Sequence, residues 1–65
     1  MIQFTYHDDS GNIYASHEYE DGEKTKSTFY RTDGSIYRVT EYDDSGNISK
    51  ITEYREDGSS YEIDP

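Results

Sequence analysis

Cysteine and leucine are absent from this 65-residue chain, and alanine occurs once. Without cysteine, no disulfide or thiolate metal site can brace the fold. With no leucine and almost no alanine, helix propensity is poor throughout. Apolar residues make up only 29%, and no apolar run approaches the length of a membrane span or a signal-peptide core. The expectation is therefore a soluble, unprocessed chain without a membrane partner. Cations are scarce too: six Lys and Arg stand against fifteen Asp and Glu, for a formal charge of −9. That balance excludes ordinary electrostatic binding to nucleic acid or to an anionic membrane, and directs any charge-selected partner toward a basic protein. The length allows one small domain over residues 1–65.

What the chain does contain is tyrosine, eight of them, and glycine at a regular spacing. The glycines fall at 11, 22, 34, 46 and 58, each closing a triplet such as Asp9-Ser10-Gly11 or Glu56-Asp57-Gly58. The six residues DDSGNI occur twice, at 8–13 and 43–48. A three-residue hairpin loop wants this chemistry: a type I turn with Asp or Ser, then a residue at positive φ. Between the loops lie short segments rich in Tyr, Ile, Thr, Phe and Val, which favour strands. The spacing predicts an all-β chain, a six-strand antiparallel meander of hairpins with three-residue Gly turns, forming a single twisted or curled sheet.

Three-residue loops throughout also predict the pairing. Tyr42 faces Ile48, Val39 faces Ile51, Tyr30 faces Ile36, Phe29 faces Tyr37, His7 faces Ile13, His17 faces Gln3, Ile51 faces Ile63 and Glu18 faces Lys24. A two-residue Asp-Gly loop is the alternative at the second, third and fifth turns. At the second it sets Glu20 against Glu23, a repulsive pair, which favours the longer loop. In that register Ala15, Ser27, Val39, Ile51 and Ile63 form one row, while Phe4, Tyr6, Tyr30, Tyr42 and Tyr54 share the opposite face. A single sheet with two half-apolar faces lacks a second layer, so strong curling, a homodimer or a docked partner is expected to cover them.

The segment EYDDSGNISKITEY, residues 41–54, resembles a YD or Rhs repeat through Tyr42, Asp43, Gly46, Asn47 and Ile48. Residues 6–13 fit the same pattern with one inserted residue. The resemblance implies a continuous antiparallel strip and a structural role without catalysis.

Motifs for catalysis are missing. There is no phosphate loop, nucleophile elbow or metal-protease motif, and the Asp-rich loops do not match a calcium-binding loop. His7 and His17 are the only imidazoles and sit too far apart in the expected sheet to share a metal. No enzyme, metal or other cofactor is expected. Exposed aromatics on a sheet also bind single-stranded nucleic acid, but such folds ring them with Lys and Arg, whereas acid surrounds them here. The topology gathers Glu18, Glu20, Asp21, Glu23, Glu41, Asp43, Asp44 and Asp64 at one end of the sheet, opposed chiefly by Lys24. Arg31 and Arg55 dilute the acids of the other end. The expected function is a non-enzymatic acidic protein-binding module: a small inhibitor occupying the basic nucleic-acid site of a partner, in the manner of phage anti-restriction or anti-CRISPR proteins. Tyr19, Tyr42, Tyr30 and Tyr54 would supply aromatic contacts. A phage origin would place it in the cytoplasm of a bacterial host. The alternative is a structural YD-like repeat module for assembly or surface presentation.

Overall fold

In a computed structural model that describes residues 2–64, the glycine-punctuated segments form β1 (Ile2–His7), β2 (Ile13–Glu20), β3 (Glu23–Tyr30), β4 (Ile36–Tyr42), β5 (Ile48–Tyr54) and β6 (Ser60–Ile63). They pair antiparallel in chain order as one six-stranded open sheet, with no helix among the described residues. The expected meander is the observed fold.

Four of the five turns are the three-residue loops expected from the glycine pattern. In the first, the Asp8 N–H donates to the Asn12 carbonyl (2.8 Å) and the Gly11 N–H to the Asp8 carbonyl (3.0 Å); the turns at 31–35, 43–47 and 55–59 repeat this pair of bonds. The doubled DDSGNI has a specific use for its first aspartate. Asp8 Oδ1 accepts from the N–H groups of Ser10 and Asn12, and Asp43 Oδ1 does the same for Ser45 and Asn47, all at 2.9 Å. In the remaining two loops the carboxylate moves inside the turn. Asp33 there accepts from the N–H and hydroxyl of Ser35, and Asp57 from those of Ser59.

The second turn differs from expectation. Glu20 pairs with Glu23, and Asp21 (φ 52°) and Gly22 (φ 83°) form a two-residue loop with both central residues at positive φ. That backbone twists in the same sense as the strands it joins. Glu20 and Glu23 are both exposed, so solvent and salt screen their repulsion, and turn geometry outweighs it.

Every hairpin but the last carries a bulge in its second strand. One unpaired residue, Tyr14, Thr25, Tyr37 or Ser49, stands between paired neighbours. Thr25 and Ser49 use their hydroxyls locally, donating to the carbonyls of Glu18 and Glu41 at 3.2 Å. Tyr14 and Tyr37 instead lean on the rings of Tyr6 and Phe29. Polar and aromatic bulges thus alternate, so the structural repeat is a pair of hairpins rather than one.

The bulges correct the register. Next to the turns the expected pairs hold: Tyr42 with Ile48, Tyr30 with Ile36, His7 with Ile13, Ile51 with Ile63. Beyond each bulge the pairing slips by one residue: Val39 faces Thr52, Phe29 faces Arg38 and His17 faces Phe4. In the second hairpin the two-residue turn already sets Lys24 against Tyr19 in place of Glu18, and the bulge beyond it sets Glu18 against Lys26. Two residues opposing one exchange the faces of the strand residues beyond them. The expected row is therefore split. Ser27 and Ile51 lie in line with Thr40, while Val39 lies in the neighbouring row with Thr28 and Thr52, on the other side of the sheet.

Burial is concentrated along these two rows and beside them on β2, β3 and β4, at Ala15, Ser16, Ser27, Thr28, Val39 and Thr40. Ala15 and Val39 are the buried hydrophobic residues; the other four are hydroxyl-bearing. Over the Ser27 hydroxyl the larger His17 and Tyr42 side chains close from the neighbouring strands. Since Gly46 sits at φ 85° with open space around it, Gly46→Ala isolates the backbone cost of a left-handed residue. It should lose about 1–2 kcal/mol, with Ser45→Ala near neutral, in urea denaturation. Because both central rows are buried, Val39→Asp and Thr40→Asp should each cost about 2 kcal/mol or more in the same assay, despite pointing to opposite faces.

Candidate functional site

The sheet presents two unlike faces. On the first, curvature makes a groove of about 740 Å³ that draws on residues from all six strands. Its floor is a row of alternating charge running across the strands: Glu18, Lys26, Glu41 and Lys50 are successive cross-strand partners. Lys26 Nζ lies 3.9 Å from Glu18, and Lys50 Nζ lies 3.2 Å from Glu62. The hydrogen bond to Glu62, together with the charges of Glu62 and Glu41, holds the Lys50 ammonium above its ordinary pKa. Tyr30 and Tyr54 also line this groove, and the Arg31 guanidinium donates to the Tyr54 carbonyl.

The second face is aromatic. Tyr6 meets His17 edge-on at 5.4 Å, His17 meets Phe29 at 6.2 Å, and Phe4 meets Tyr19 at 5.6 Å. His17 Nδ1 lies 2.7 Å from the fully buried Ser27 hydroxyl, which also reaches the Tyr42 hydroxyl at 3.4 Å. Lys24 sits over both Tyr19 (6.0 Å) and Tyr42 (5.7 Å), within cation–π range. Burial, helped by the positive charge of Lys24, pushes the His17 imidazole below its usual pKa, so it is neutral near pH 7. Toward β6, Glu53 accepts from Arg38 Nε (2.9 Å) and from the Tyr61 hydroxyl (2.8 Å), and Arg55 stacks 4.5 Å from the Tyr61 ring. The Tyr61 bond, then the Arg38 bond, holds the Glu53 carboxyl below its ordinary range.

The expected acidic end is only partly assembled. Topology sets the second and fourth turns at the same end, and there Glu20, Asp21, Glu23, Asp44 and Asp64 are exposed. Among the described residues no ion pair involves them. Glu18 and Glu41 are instead drawn into the charged row of the groove, and Asp43 is the hydrogen-bond acceptor of its own turn. Nor do the four expected tyrosines share one surface: Tyr19 and Tyr42 flank Lys24 on the aromatic face, whereas Tyr30 and Tyr54 line the groove. For Tyr42, expected on one face with Tyr30 and Tyr54, the bulges at Tyr37 and Ser49 are the cause, since they reverse parity, whereas Tyr19 lay on the other face already in the expected register. Sequence reasoning missed the Phe4, Tyr6, His17 and Phe29 cluster; the alternation of apolar and polar residues in Ile2-Gln3-Phe4-Thr5-Tyr6 was its visible signal. Among the described residues no group of three or more His, Cys, Asp or Glu is placed to hold a metal ion.

These features define a small all-β protein built as one repetitive, two-faced sheet. The chain belongs to the family described as "Protein of unknown function (DUF2963)", which matches residues 6–53 and again residues 30–64. The two matches begin two turn spacings apart, the length of the hairpin-pair repeat seen in the alternating bulges. No curated protein and no solved structure matches the chain.

The depressed pKa of His17 makes a pH prediction. In the unfolded chain the imidazole titrates near 6.5 and takes up its proton first, so the stability its neutral form contributes is present above pH 6.5. That stability should decline as pH falls below 6.5 toward the folded value. Urea midpoints measured between about pH 7.5 and 5 should fall on acidification for the natural chain, and fall less for His17→Gln.

Proposed function

We propose that the protein is a non-enzymatic acidic binding module whose turn-bearing acidic end engages a basic protein, in its most specific form by occupying a nucleic-acid-binding groove. The observation that carries this reading is the contrast among the carboxylates. Those on the sheet faces, Glu18, Glu53 and Glu62, have Lys or Arg partners, and Asp8, Asp33, Asp43 and Asp57 are turn acceptors. Glu20, Asp21, Glu23 and Asp44 have neither role and are exposed together at one end of a chain with charge −9. Asp9 and Glu56 are their counterparts at the opposite end, which also carries Arg31 and Arg55. Carboxylates left to solvent in this way cost the fold self-repulsion and provide long-range attraction for a positive surface. A structural assembly role, the second reading, is supported by the aromatic face, which no second layer covers.

The test is a matched pair of double reversals. Glu20→Lys with Asp44→Lys changes the acidic end; Asp9→Lys with Glu56→Lys changes the opposite end by the same net charge, and none of the four side chains holds a turn. Tagged protein should retain basic nucleic-acid-binding proteins from a bacterial lysate, and duplex DNA or 500 mM salt should release them, roughly as counterion-dominated contacts do. The Glu20/Asp44 variant should lose about tenfold or more in affinity for a purified retained protein, chiefly in association rate. Equal losses from both variants would reduce the effect to bulk acidity. No loss from either would leave the structural reading.

A further inference from the structure

The two edges of the sheet are guarded very differently. β1 is the one strand of the six without Asp, Glu, Lys or Arg, in a chain where such residues make up 32%. All six of its residues are exposed, with Ile2, Phe4 and Tyr6 at 58%, 50% and 45%. The bulge beside it lies in β2, at Tyr14, so β1 itself is regular. It lacks every usual protection of an edge: no lysine, no proline, no inward charge and no cover. β6, by contrast, is four residues long, carries Glu62, and is followed directly by Asp64.

We propose that β1 is a self-pairing edge: two copies of this chain join their β1 strands antiparallel about a two-fold axis through Phe4, continuing one sheet into the other. In this register Phe4 meets Phe4 of the second copy, Ile2 meets its Tyr6, and Gln3 meets its Thr5. Apolar side chains then align on the aromatic face and polar ones on the groove face, because directly opposed residues in an antiparallel pair point the same way. A second copy is the fitting occupant because the strand is complementary to itself and brings no charge to the seam, which lets two chains of −9 meet there. Since β6 is short and acidic, it does not extend the assembly, and the pairing closes as a dimer instead of growing into a filament.

Sedimentation equilibrium from micromolar to millimolar concentration should show a monomer–dimer equilibrium. Gln3→Lys with Thr5→Lys places like charges opposite each other across the seam, on the face away from the aromatic residues, and should raise the dimer dissociation constant at least about tenfold. A dimer stacked through its aromatic faces would not respond to that change. Phe4→Cys, in a protein with no other thiol, should form a disulfide-linked dimer under mild oxidation, because directly opposed Cα atoms lie about 4.5–5.5 Å apart. Ser60→Cys, on the other edge, should cross-link far more slowly. The proposal is overturned by a monomer at every concentration, by a dimer indifferent to the lysine pair, or by equal cross-linking at both edges. Cross-linking at Phe4→Cys reports independently should the lysine variant lose its β-sheet circular dichroism.

Discussion

Backbone pairing between consecutive strands is the interaction on which this molecule depends. Among the described residues no second sheet or helix packs on either face, and the buried hydrophobic residues are an alanine and a valine. Cohesion therefore comes from the ladder of hydrogen bonds and from the cross-strand side-chain pairs it sets in register. Strand-to-strand contacts among the described residues run between sequence neighbours, as in solenoid proteins, so each hairpin supports the next, with the Arg31 bond to the Tyr54 carbonyl reaching one strand further. Hydroxyl-rich central rows suit this arrangement. Ser27 is fully buried without loss because His17 and Tyr42 satisfy its hydroxyl.

Turns and bulges act together to give the sheet its shape. The positive-φ glycine ends each loop with the twist that its flanking strands need, and the bulge beyond it in most hairpins adds curl. Strand alternation and the bulges sort the side chains between the faces. The concave side collects the alternating Glu and Lys row, whose members neutralise one another, while the aromatic side is left to stacked rings and to Lys24. A flat sheet would have had no groove.

The chain's surfaces consequently differ in character. Glu18, Glu53 and Glu62 are neutralised by cations on the faces, and most of the carboxylates with neither a cation nor a turn to hold gather at the end of the second and fourth turns. The aromatic face and the uncharged first strand form a continuous apolar region, since Ile2, Phe4 and Tyr6 belong to both. The proposed charge-driven binding at the turns and the proposed pairing at the edge would use separate parts of the molecule, so the two would be compatible.

Glycine spacing, absent leucine and the β-forming residues between turns were enough to establish six strands in a meander, because turn chemistry and strand propensity are local properties. Asp-Ser-Gly and its variants named four loops correctly for the same reason. What only the tertiary structure decided was parity. Whether a hairpin inserts an extra residue depends on twist and packing across strands, which no local pattern of Tyr14, Thr25, Tyr37 or Ser49 announces. One such residue exchanges the faces beyond it, which is why Val39 parts from Ser27 and Tyr42 parts from Tyr30 and Tyr54. The acidic end was visible because turns in a meander alternate ends regardless of register. The aromatic face was not, because a face is a property of side-chain parity, and parity is settled by the pairing of strands rather than by the order of residues.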